Sequence, residues 1–201
     1  SGENVVNLKR KGAKQSVAPV TTTTPATESG AGAISKDLKK MRISDVKDAF
    51  VNNQTEHMQR HFRVAVDFLE DGLNDTFVST LTRPAVAEVI ELLTQLPKAH
   101  GKSAKQNLRL REAVAYANAV EQEAVEAEQL RLEERGADRK TIARATLAAR
   151  IPRLSPQQSL INHRRRINAF LKWCHRSQYL REPLQIDLDD IPRQVRDEAA
   201  N

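Results

Sequence analysis

A single cysteine, Cys174, serves the whole chain of 201 residues, so neither an internal disulfide nor a cysteine-built metal cage can form. That scarcity fits a reducing, cytoplasmic compartment. Glycine is scarce too, with seven residues, and none of them makes a phosphate-cradling loop or a dinucleotide fingerprint. Nucleotide-driven chemistry is therefore disfavoured. No apolar run approaches the ~20 residues that span a bilayer, and the N-terminus lacks a charged-then-apolar signal pattern. The expectation is a soluble protein without a membrane partner. The chain opens on Ser1-Gly2 rather than Met, which resembles a cloning scar on a piece of a longer protein.

Cationic charge is what remains in quantity. Lys and Arg number 32 against 26 Asp and Glu, a net charge of +6, and that balance favours a polyanionic partner.

Residues 1–33 hold a basic cluster (Lys9, Arg10, Lys11, Lys14) and a Thr/Pro/Ala/Gly stretch with too little apolar content to offset ordering entropy, so they read as a flexible tail. From Arg42 the pattern turns helical. Ser44 is the expected cap of a short helix carrying Val46, Ala49 and Phe50. A second helix, about Thr55 to Leu69, has Met58, Phe62, Val66 and Leu69 at i, i+4, i+8 and i+11, with Gln59, Arg60 and Arg63 on its polar side. After a turn at Gly72 and Asn74, Thr82 caps a third helix that Leu96-Pro97 stops.

The polar segment from Lys98 to Gln106, with Lys98, His100, Lys102 and Lys105, reads as a loop. A long Ala/Glu-rich helix follows, with seven Glu against two Arg between Glu112 and Arg135. Gly136 ends it, and Asp138 caps a short helix to about Arg150. Ser155-Pro156 opens the last clear helix, to about Ser177. Leu160, Ile167, Phe170, Leu171 and Cys174 fall on one side of it, and Gln158, Asn162, Arg165, Lys172 and Arg176 on the other. The stretch from Glu182 reads as an extended, acidic linker.

Two stretches resemble the core-binding domain of tyrosine-type site-specific recombinases, the SAM-like helical module at the front of phage integrases. One is Arg42 to Glu91, including TLTRPAVAEVIELL. The other is LSPQQSLINHRRRINAFLKWCHRSQYLREPL, Leu154 to Leu184, in which Ser159, Asn162, His163, Phe170, Trp173 and Cys174 stand at matching positions. LPKAHGKSAKQNLRLREAVAYA is similar to a linker of one bacterial integrase subgroup. Arg164, Arg165 and Arg166 depart from the family's usual Leu/Ser/Ala mix, and Asn162 replaces its usual Lys or Arg.

The resemblance implies an all-α fold: a SAM-like bundle of four to five helices over 34–184, a helical insert at 98–153, and 185–201 as a linker to a missing catalytic domain. It implies double-stranded DNA as the partner, with other recombinase protomers on that DNA, and a role in DNA integration or recombination. Cleavage in that family uses a Tyr nucleophile with two Arg and a His-x-x-Arg motif. His163 to Arg166 fits the motif literally, with Tyr179 thirteen residues on, but His57 to Arg60 fits it equally well. A pattern this easily met assigns no catalytic residue, and the chain reads as non-catalytic.

His57 and His61 lack a third ligand, so no metal and no cofactor is expected, and the pair reads as solvated or DNA-facing. Asp187, Asp189 and Asp190 read as solvated. The DNA-contact candidates are Gln59, Arg60 and Arg63 on the second helix and Gln158, Ser159, Asn162, His163, Arg165 and Arg166 on the last. Lys98, Lys102 and Lys105 in the loop would reach phosphates. Arg60 and Arg63 serve equally as the wet face of an amphipathic helix. Trp173 and Phe170 sit at core spacing. The rival reading is a helical interaction or scaffold protein built on the Ala/Glu-rich helix, which lacks a sustained apolar heptad.

Overall fold

The computed structural model describes residues 40–102 and 108–200, with side chains to 197. The chain divides into two units, 1–36 and 37–201. The expected tail, 1–33, lies outside the described residues, as does Lys105. The described residues are all-α: seven helices, with no strand pairing beyond two isolated bridges, Arg42 with Phe77 and Pro97 with Arg153.

Helix α1, Ile43–Asn52, turns Ile43, Val46, Phe50 and Val51 into the core. It starts two residues earlier than the Ser44 cap predicts, with Arg42 as its cap. Arg42 N–H donates to Asp45 at 2.8 Å, which frees Ser44 to donate its N–H and its hydroxyl to Asp75, at 2.9 and 2.7 Å. Asp75 holds a left-handed φ of 48°, so this exchange pins the turn after α2. Helix α2, Glu56–Gly72, outruns its predicted end at Leu69. Gly72 is its last residue rather than a turn position, and a Cβ there would meet Val89 Cγ2 at 2.8 Å. Helix α3, Arg83–Thr94, is capped as its sequence predicts, with Thr82 Oγ1 accepting from Ala85 N–H at 3.4 Å.

Phe50 is the hub of the bundle. Its ring centroid lies 5.4 Å from Phe62, 5.3 Å from Phe170 and 5.7 Å from Trp173, which ties α1 to α2 and to α6, Arg164–Arg176. Edge and tilted contacts of this kind add to the burial of the rings themselves. Trp173 and Phe170 therefore pack, as their spacing predicts. Burial also pushes the Cys174 thiol pKa up, which leaves it uncharged and weakly reactive.

Helix α4, Leu110–Glu134, buries Leu110, Ala113, Val114 and Ala117 in its first turns only. Its remainder pairs with α5, Arg139–Ala148, which buries no residue. Gly136, at φ 69°, and Asp138, which accepts from Lys140 and Thr141 N–H, turn the chain between them. The chain returning from the α4–α5 hairpin is stitched to the end of α3. There Leu154 N–H donates to Leu96 O at 2.9 Å and Lys98 N–H to Pro152 O at 2.8 Å, while Arg153 bridges Gln95 O and Glu121.

The end of the chain corrects the linker reading of 185–201. Ile186 and Ile191 are fully enclosed, with Leu184, Leu188 and Val195 against the same core. Asn168 accepts from Ile186 N–H at 2.9 Å and donates to its carbonyl at 2.8 Å, and Arg164 donates to that carbonyl at 2.9 Å. Asp190 and Asp189 hold Arg83 and Arg196, each at 3.3 Å. Helix α7, Arg193–Ala200, closes the described chain against α3. The acidic residues masked a spaced apolar set that docks the segment.

Candidate nucleic-acid interface

The last long helix does not start as an α-helix. After Pro156 it winds as a π-helix, Gln157–His163, before α6 begins at Arg164. Ser155 Oγ accepts from Gln158 N–H at 3.3 Å and Gln158 Oε1 accepts from Ser155 N–H at 3.4 Å, so Gln158 closes the helix start. Wide turns of this type concentrate at functional positions. Here the turn brings two of the expected DNA contacts inward.

Ser159 is fully buried and donates its hydroxyl to Ser155 O at 3.1 Å. His163 is nine-tenths buried, its ring edge-to-face with Phe68 of α2 at 5.3 Å. Both leave the exposed face, because the turn rotates them toward α2 and α3, which pack against this end. Asn162 and Arg166 are half-buried and Arg165 is exposed. Asn162 accepts a long 3.4 Å bond from Gln157.

On α2 the expected trio separates. Arg63 pairs with Asp48 at 2.6 Å and Gln59 donates to Gln54 O at 3.3 Å, so both lean toward α1. Arg60 is exposed and has no ion pair among the described residues. Phe68 is where α2 meets the π-helix, and exposed His57, His61 and Val64 share its side of the helix, at i, i+4, i+7 and i+11. Phe68 also lies 6.0 Å from His100, which joins the loop with exposed Lys98 and Lys102 to the same seam. Lys98 and Lys102 use only their backbone N–H groups within the fold, leaving their ammonium groups in solvent.

The electrostatics follow from this packing. Burial, then the charges of Arg166 and His61, depress the His163 pKa from 6.5 to about 4. Burial lowers His100 against an opposing pull from Asp71, and partial burial lowers Arg166. The seam is thus the place where Phe68 of α2 packs against both His163 and His100, with the charge of Arg166 acting on His163 and that of Asp71 on His100. Arg60, Arg165, Lys98 and Lys102 are exposed cations of the segments that meet there. Among the described residues no cluster of potential ligands suits a metal ion.

No family model, no curated protein and no solved structure matches the chain.

Sequence reasoning missed Phe68 and His100 and read His61 only as solvated or DNA-facing. The signal was present as the 57-61-64-68 stripe, which runs beside the core stripe and mixes imidazole with apolar side chains. A stripe of that composition marks a contact flank rather than a fully wet face.

Proposed function

We propose that this chain is a duplex-DNA-gripping helical module of the kind that tyrosine recombinases carry ahead of their catalytic domain. The observation that carries the reading is that Phe68 packs α2 against both His163 and His100, which brings three cation-bearing segments together, and that Arg60, Arg165, Arg166, Lys98 and Lys102 have no ion pair among the described residues. Phosphate contacts supply most of the affinity in such an interface, and short polar groups such as Asn162 set register. A cutting step belongs to a separate catalytic domain in this reading.

The test is a duplex titration across salt concentrations. Substituting Arg165 and Arg166 by Ala should weaken binding to all sequences and flatten the salt dependence. Unchanged affinity removes the start of α6 from the interface.

One observation favours a second reading, a protein-contact role for the hairpin. Tyr116 and Leu130 stand 63% and 59% exposed on α4, unusual values for large apolar side chains. Sedimentation separates the two. DNA gripping gives a monomer that shifts on adding duplex, whereas a scaffold self-associates or ignores DNA.

A further inference from the structure

Among the half-buried cations of the bundle, most have a partner within the fold. Lys47 reaches Asp67 at 2.8 Å and Glu70 at 2.6 Å, Arg153 reaches Glu121 at 2.7 Å, and Arg164 donates to Leu160 O and Ile186 O. Arg166 is half-buried and has no hydrogen bond or ion pair among the described residues. Beside it lies a second unsatisfied group. His163 Nδ1 is enclosed without a partner, and its Nε2 makes no hydrogen bond either. The other buried polar side chains, Thr94 and Ser159, each donate to a backbone carbonyl.

The unpaired guanidinium stands three residues from the unpartnered imidazole, and its charge acts on that ring. The charge of His61, on α2, acts on the same ring, and Phe68 packs against it edge-to-face. The charges that act on His163 are those of Arg166 and His61, both basic groups. An unpaired guanidinium beside an unpartnered imidazole N–H and an aromatic ring fits an oxyanion. With Nδ1 enclosed, the ring proton is best kept on Nε2, where a ligand oxygen can accept it.

We infer that His163, Arg166 and His61 form a seat for one phosphate oxyanion at the seam of α2 and the π-helix. The guanidinium supplies the charge and a forked pair of donors, and the imidazoles supply directed N–H groups. The inference rests on the DNA-binding reading for its natural ligand, a backbone phosphodiester, but the same chemistry accepts free phosphate.

Nuclear magnetic resonance of the histidine rings in the full chain tests it, with inorganic phosphate and a short duplex as separate probes. Occupancy of the seat shifts the His163 and His61 ring resonances with either probe and raises the pH at which His163 titrates. His163→Phe, which keeps the edge contact with Phe68, and Arg166→Gln should each weaken phosphate binding about tenfold or more. Each should also flatten the duplex salt slope by about 0.9, the loss of one phosphate contact. Phosphate shifts without duplex binding uphold the seat and count against the DNA reading. Duplex binding with silent His163 resonances and an unchanged slope in both variants overturns the seat and leaves the DNA reading standing. Silence with both probes overturns both.

Discussion

At the scale of single residues, His163 makes the folded state sensitive to acid. Its pKa falls from 6.5 to about 4 because burial, Arg166 and His61 all disfavour the imidazolium. The unfolded chain therefore binds the proton more tightly than the folded one, and stability falls as pH drops through 6.5 and levels off below about 4. The gap corresponds to roughly 3 kcal/mol at full extent. Urea denaturation at pH 7.5 and pH 4.5 should show His163→Phe losing less stability on acidification than the parent chain, and equal losses would rule out this origin. Gly72 makes an opposite kind of demand. A methyl group there would stand 2.8 Å from Val89 Cγ2 and 3.2 Å from Leu110 Cδ2, inside the crossing of α2, α3 and α4. Gly72→Ala gains helix propensity but should still lose about 1–3 kcal/mol to overpacking, read as a lower denaturation midpoint.

At the scale of elements, caps and stops were legible because each has a local chemical cause. Thr82 with Pro84, Gly136, and Asp138 act through bonds within three residues, so their sequence meaning survives folding. The start of α1 and the end of the chain were not legible, since both are decided by partners far along the sequence. Ser44 is drawn to Asp75, 31 positions away, and Ile186 to Asn168, 18 positions away. The inward turn of Ser159 and His163 escaped notice for a related reason. A wheel drawn at 100° per residue assumes an α-helix, whereas a π turn advances each residue by a smaller angle and rotates that face toward the core. Asn168 gives the docked end its test. Asn168→Ala removes both bonds to the Ile186 backbone and should cost about 1–3 kcal/mol, with faster hydrogen exchange at the Ile186 amide. Unaltered exchange there would mean that the apolar residues alone hold the segment.

At the scale of the whole molecule, charge and packing are partitioned. The bundle around Phe50 presents the seam, while α4 beyond Ala117 and its partner α5 bury no residue in the core. That separation places most of the Glu residues of α4 away from the core of the bundle. The cationic excess was plain in the composition, but its convergence was not, because α2 and α6 stand about a hundred residues apart in sequence and meet only through packing. The central claim is that this seam, and no other face, holds the duplex. Backbone amide chemical-shift mapping during titration with a short duplex at low salt tests it most directly. The account predicts progressive shifts along His57 to Phe68, Lys98 to Lys102 and Asn162 to Arg166, with α4 beyond Asn118 and α5 silent. Shifts confined to the hairpin, or absent throughout, would contradict it.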